Sequence, residues 1–244
     1  MWRVGVLQTP RESHRFHILE VIEKSEAPLG ANQIKKELSS LGLNISEATV
    51  GRVLFGLDQE TLTKKEGFKG RILTEQGQNA LREMRIQRER KEYGEEFFKV
   101  LDSTSEAELV EILVARRVIE SQLARMAALH ITPEIAQEMQ DTIDRQAKYS
   151  KKGIAAEYDV QFHKLISRSA GNKVLDAMLD LIRQDGQLTP ALEYIRKKVK
   201  SSIIVDHKKI MEAIINKDPN TAEKAMIEHM DNLIRDVNKY WGKM

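Results

Sequence analysis

From Ser105 onward, each break in the apolar periodicity of the chain is a helix-start signal, and no stretch alternates with the period of two that a strand needs. Ser105 with Glu108 has the form of a capping box. Thr132-Pro133, Thr189-Pro190 and Asp218-Pro219 place proline at a first helical position, and Gly171 followed by Asn172 ends one helix and caps the next. Amphipathic helices with no sheet to cover must bury their apolar stripes on one another, so this half of the chain is expected to form an all-helical bundle. Six or seven helices are expected after residue 104, with no repeat of fixed period.

The first third reads differently. "RESHRFHILEVIEKSEAP" spaces Phe16, Ile18, Leu19, Val21 and Ile22 as one helix, "LGANQIKKELSSLG" supplies a second, and Ser46 caps a third that carries Val50, Val53, Leu54 and Leu57. "TLTKKEGFKGRILTEQG" then alternates around Gly67 and Gly70, which is a hairpin signal. Three helices followed by a β-ribbon predict a winged helix-turn-helix. The charged, Gly-free stretch from Gln78 to Tyr93 predicts a solvated connecting helix. The expected organisation is a tail over 1–11, a winged-helix domain over 12–78, a helical linker over 79–104 and a bundle over 105–241, mainly α throughout.

At 244 residues the chain can bury two cores, and 41% hydrophobic with 31% charged residues excludes a disordered or fibrous protein. No apolar run approaches the roughly 20 residues that cross a bilayer, and the opening "MWRVGVLQTP" lacks a signal segment, so no membrane partner and a cytoplasmic location are expected. The absence of cysteine excludes disulfides, thiolate metal sites and cysteine nucleophiles. A net charge of +2 is too small to announce nucleic-acid binding, so the placement of charge decides.

Asp159 and His163 stand four apart on one helix, among Val160, Phe162, Leu165 and Ile166, and can reach one point in space. His207 and His229 each lie about 11 residues from the Asp218-Pro219 turn, on opposite sides of it, so an antiparallel pair brings them to similar depth. Three imidazoles and a carboxylate converging in a bundle interior suit a divalent metal such as zinc or nickel, with positions left for water or a carboxylate. The plainer alternative is that each is a hydrogen-bonded core histidine. Against it, an uncompensated buried carboxylate at Asp159 costs several kcal/mol. His14, His17 and His130 carry no such argument and are expected at the surface.

Asp-x-x-x-His, then "H-x-x-I-x-x-A-I" from His207, then "A-x-x-x-M-x-x-H" ending at His229 resembles the ligand-sensing FCD domain of the FadR branch of GntR-type transcriptional regulators, over roughly residues 105 to 241. The resemblance implies a metal held by Asp159, His163, His207 and His229, and a small organic acid completing its coordination. It also implies that Arg116 anchors the effector; the alternative is an ion pair with Glu120. The stretch from Ile18 to Gly77, with "P-L-G-A" and "S-E-x-T-V", is similar to the winged-helix domain of NrpR-type archaeal repressors, related to one in ribonuclease R. It lacks the proline-containing start and arginine-rich second helix of the usual GntR reader.

A winged helix would lay its third helix in the major groove of operator DNA, with Ser46, Thr49 and Arg52 near bases or phosphates, and would bring Lys64, Lys65, Lys69 and Arg71 of the hairpin to phosphate or minor groove. The alternative for the hairpin is a merely solvated turn. Gly51 weakens the third helix and offers no side chain for base readout. The sequence therefore predicts a metabolite-responsive, homodimeric DNA-binding regulator and not an enzyme. Two alternatives stay open: a repressor that senses the metal itself, and a metallohydrolase tethered to nucleic acid, for which no general base stands at a set spacing.

Overall fold

The computed structural model describes residues 10–101, 105–149, 155–183 and 188–242. The chain divides into two compact units, one up to Glu96 and one from Phe97. In the first, α1 (Pro10–Glu23), α2 (Ala31–Ser40) and α3 (Glu47–Gln59) precede an antiparallel ribbon of β1 (Thr63–Lys65) and β2 (Arg71–Leu73). Ser46 caps α3 by accepting the Thr49 N–H at 3.1 Å, and α3 turns Val50, Leu54 and Leu57 inward against Ile18, Leu19 and Ile22 of α1 and Ile34 and Leu38 of α2. The ribbon pairs Thr63 with Leu73 and Lys65 with Arg71, and Leu29 bridges to Arg71 on its outer side.

Helix α4 (Glu75–Leu101) carries the charged stretch that reads in the sequence as a connector. Its first turn fits against the ribbon only because residue 77 is glycine: a Cβ there would lie 2.0 Å from the Leu62 carbonyl oxygen.

The second unit contains seven helices among the described residues: α5 (Glu106–His130), α6 (Pro133–Tyr149), α7 (Ala155–Ser169), α8 (Lys173–Arg183), α9 (Leu188–Val199), α10 (Ile204–Ile215) and α11 (Pro219–Trp241). The expected caps form. The Ser105 hydroxyl accepts the Glu108 N–H while the Glu108 carboxylate accepts the Ser105 N–H, and Asp218 accepts the Thr221 N–H at 3.0 Å. Asn172 caps α8 through the N–H groups of Val174 and Leu175. One start differs: α9 is described from Leu188, so Pro190 occupies its third position, still in the first turn where a missing N–H removes no helical bond.

Helix α5 lies against α11, α7, α8 and α10. Small residues on both sides, Ala124, Ala127 and Ala128 on α5 with Ala222 and Ala225 on α11, belong to the same aliphatic core as Leu113, Leu123, Met226, Met230 and Leu233. This packing turns one stripe each of α5, α7, α10 and α11 toward the bundle interior.

Candidate metal and effector centre

Those interior stripes carry the histidines. His163 on α7, His207 on α10 and His229 on α11 are 1%, 0% and 0% exposed, and one ring nitrogen from each lies within 4.8 Å of the other two. Phe162 stacks on the His207 ring at 4.5 Å and excludes water from that side. Asp159, one turn before His163, is buried and places Oδ1 3.6 Å from His207 Nε2. The three imidazoles thus form the mutual cluster, and the carboxylate meets it at the His207 corner.

Each imidazole is oriented by an acceptor from another helix or loop. Glu120 Oε2 on α5 takes Nδ1 of His163, Gln146 Oε1 on α6 takes Nδ1 of His207 at 2.8 Å, and Asp206 Oδ2 lies 3.5 Å from Nδ1 of His229, itself held by the Asn232 amide at 2.9 Å. A carboxylate or amide oxygen can only accept, so each Nδ1 carries the proton and each Nε2 keeps its lone pair. All three Nε2 atoms and Asp159 Oδ1 are buried without a hydrogen-bond partner. Each such buried acceptor costs about 1–3 kcal/mol if left unsatisfied, and a cation among the three rings would offset that cost. Three points within 4.8 Å of one another share a point within about 2.8 Å of each, so the rings would close in by about 0.7–0.8 Å to reach the ~2.0–2.1 Å of a zinc–imidazole bond.

The protonation states agree. Burial pushes His163 down to about 4 against the opposing pull of Glu120, and burial, with His229 beside it, pushes His207 well below its ordinary value. Burial acts to raise Asp159, but His163, His207, Arg196 and Arg183 outweigh it and hold the carboxyl below the usual range. Glu120 likewise stays ionised against burial because of Arg116, His163 and Arg183.

The ion pair foreseen as the alternative for Arg116 is present, and it is interior: Nε donates to Glu120 Oε1 at 2.6 Å, with both side chains 2% exposed. Two further arginines escaped sequence reasoning. All three guanidinium nitrogens of Arg183 are buried with no hydrogen bond, the nearest anion being Glu120 Oε2 at 3.5 Å, and Arg196 leaves one terminal nitrogen in the same condition. Arg196 and Gln146, whose Nε2 also lacks an acceptor, line a recess of about 110 Å³ with Glu193, Ser201, Ser202 and Ile204. The one local signal for any of these was Glu120, four residues after Arg116; Gln146, Arg183 and Arg196 reach the centre through tertiary packing.

On the winged-helix unit, Ser46, Thr49 and Arg52 form a chain along α3: Ser46 and Thr49 hydroxyls lie 2.9 Å apart and Arg52 donates to Thr49 Oγ1 at 3.2 Å. Thr49 and Arg52 share a surface recess of about 380 Å³ with Arg11 and His14 of α1. His14 and His17 are half-buried, not at the surface, because α2 and α3 both pack on α1; His130 is exposed, as expected. Lys64, Lys65 and Lys69 are exposed on the ribbon. Arg71 departs from its expected role: its Nε donates to both Asp58 oxygens at 3.1 and 2.9 Å, so the guanidinium braces the base of the wing instead of facing outward.

The model of the FCD domain matches residues 111–232, half of the chain, and includes every residue of the cluster. The chain belongs to the FCD family, the FadR branch of the GntR-type regulators. Ahead of the FCD domain, residues 16–81 match the ribonuclease R winged-helix domain. The Exu regulon transcriptional regulator of Escherichia coli is 29% identical over 126 residues, 50% of this chain and 48% of that protein. The global nitrogen regulator NrpR of Methanocaldococcus jannaschii is 42% identical over 71 residues, 29% of this chain and 13% of that protein. This chain therefore spans about half the length of the Exu regulator and a small part of the archaeal protein. A GntR protein of Streptococcus agalactiae has a similar solved structure, with a TM-score of 0.47 and 18% identity over 92% of this chain and 99% of that one. No helix among the described residues is long and apolar enough to cross a membrane.

Proposed function

We propose that this protein is a homodimeric DNA-binding transcriptional regulator whose FCD domain holds a divalent metal, zinc or nickel, and with it a small carboxylate effector that changes operator affinity. The observation that carries this reading is the approach of His163, His207 and His229, one ring nitrogen of each within 4.8 Å of the others, with every Nε2 buried and without a hydrogen-bond partner and Asp159 Oδ1 3.6 Å from that of His207. A bound ion would supply a Lewis-acid contact for a carboxylate oxygen. The chain's own residues supply the rest: Glu120, Gln146 and Asp206 fix the imidazole tautomers, and Phe162 keeps water from the His207 ring.

A carboxylate effector is favoured over the metal alone as signal by the arginines. Arg116, Arg183 and Arg196 are interior cations near Glu120 and Asp159, and an anionic ligand bound among them would offset the charge that a divalent ion adds. Arg183, with its nitrogens unspent, is a better-placed carboxylate anchor than Arg116, whose Nε is already on Glu120. The two relatives are described as an Exu regulon transcriptional regulator and a global nitrogen regulator, which supports a regulator over a tethered hydrolase. Effector and DNA would be coupled by about 1–3 kcal/mol, a change of roughly 5- to 150-fold in affinity.

The test compares wild-type protein with His207→Ala/His229→Ala after loading with zinc. Wild type should retain one metal per chain by elemental analysis, the double variant none, with helicity by circular dichroism nearly unchanged. Unchanged metal content in the variant defeats the metal site. Operator affinity that tracks free metal over its whole range, and ignores every small carboxylate added, makes the metal itself the signal.

A further inference from the structure

Phe68 stands free of the protein, with an accessibility of 110% of reference. It follows Gly67, whose φ of +58° opens the turn between β1 and β2, and the turn closes by Lys69 N–H to Glu66 O at 3.1 Å and Glu66 N–H to Gly70 O at 2.9 Å. Lys64 and Lys65 lie before the turn and Lys69 directly after the phenyl ring, all exposed. The tip is also held out on a braced strut. Gly70 has φ +132°, and a Cβ there would meet the Leu29 carbonyl carbon at 2.3 Å; Arg71 exchanges backbone hydrogen bonds with Leu29 at 3.0 and 2.9 Å and clamps Asp58 through its side chain. The ring therefore cannot reach the core of its own domain.

An uncovered phenyl ring among lysines adds nothing to folding. It suits a surface that is anionic at its rims and stacked within, which describes the minor groove of duplex DNA. We propose that Phe68 is a wedge: Lys64, Lys65 and Lys69 seat the wing on the two phosphate backbones and the ring enters between base pairs, kinking the duplex by roughly 20–90° toward the major groove. The favoured step is pyrimidine–purine, the one most easily unstacked. This rests on the DNA-binding reading above and adds a source of specificity that does not need α3, where Gly51 offers no side chain and a Cβ would touch nothing within 4 Å.

The experiment selects duplexes from a random pool with the full chain, then measures affinity, salt dependence, bending by circular permutation and 2-aminopurine emission at each step of a recovered site. Wild type should bend the duplex and brighten the probe at one pyrimidine–purine step. Phe68→Ser, with unchanged melting temperature, should lose both signals and bind about tenfold more weakly with the same salt slope, as loss of one ring–base stack requires. Phe68→Trp should restore the bend. Lys64→Ala/Lys65→Ala/Lys69→Ala should instead flatten the salt slope. The wedge is overturned if Phe68→Ser bends and brightens the duplex like wild type, or if it changes the sedimentation of DNA-free protein, which would mean that the ring docks on a second copy. Recovery of no duplex by wild type would instead bring down the DNA-binding reading on which the wedge depends.

Discussion

Gln146 on α6 holds its amide oxygen 2.8 Å from Nδ1 of His207 on α10, across 61 residues of chain. This contact fixes which nitrogen of His207 is free, because an amide oxygen accepts only from a protonated Nδ1 and leaves Nε2 with its lone pair in the cluster.

Gln146→Leu is therefore expected to lower zinc affinity about 10- to 100-fold while leaving the bundle folded. Competition against a chromophoric chelator reads this directly. An affinity equal to wild type would mean that His207 needs no partner to hold its tautomer.

Arg183 and Arg116 should separate. Arg183→Met is expected to leave bound zinc at one per chain but to weaken the response of operator binding to an active small carboxylate by at least about tenfold, since an anchoring guanidinium–carboxylate bond contributes roughly 1.5–3 kcal/mol. Arg116→Met should also disturb zinc affinity, because Arg116 holds Glu120 and Glu120 holds His163. Isothermal titration with zinc distinguishes the two variants.

Acid should destabilise the metal-stripped protein before ordinary carboxylates titrate. His163 falls from 6.5 to about 4 on folding, so between those values the unfolded chain binds the extra proton. The neutral ring is without penalty above pH 6.5, and stability is lost as pH falls from 6.5 to about 4, by about 3 kcal/mol for this residue, with His207 acting in the same direction. Urea unfolding of chelator-treated protein at pH 7.5, 6 and 5 should show the decline, and His163→Gln should flatten it.

In the winged-helix unit, Asp58 accepts from Arg71 and, at 2.6 Å, from the buried Thr63 hydroxyl. Asp58→Ala leaves both donors unsatisfied and is expected to cost about 1–3 kcal/mol, seen as a lower midpoint of denaturation. Lys69→Ala, at an exposed position, should leave that midpoint within about 0.5 kcal/mol and alter only salt-dependent DNA affinity.

Much of this architecture is written in local sequence. Ser46, Ser105, Asn172 and Asp218 are caps, and capping depends on atoms within a few residues, so these helix starts are legible in the sequence. The clustered histidines were legible for a related reason: Asp159 and His163 are one helical turn apart, and His207 and His229 flank a tight turn at equal distance, so helix geometry alone brings them level. What orients those histidines was not legible. Glu120, Gln146 and Asp206 reach His163, His207 and His229 from 43, 61 and 23 residues away, and no periodicity encodes which stripe of α5 or α6 meets which stripe of α7 or α10. The same holds for Arg71, whose charge suggested an outward, phosphate-facing role until the fold of the ribbon brought it onto Asp58. Residue types and their helical spacing thus determined which histidines could meet, while only the packing of one helix on another decided their tautomers, the interior arginines and the brace beneath the wing, because those contacts depend on where distant segments come to lie.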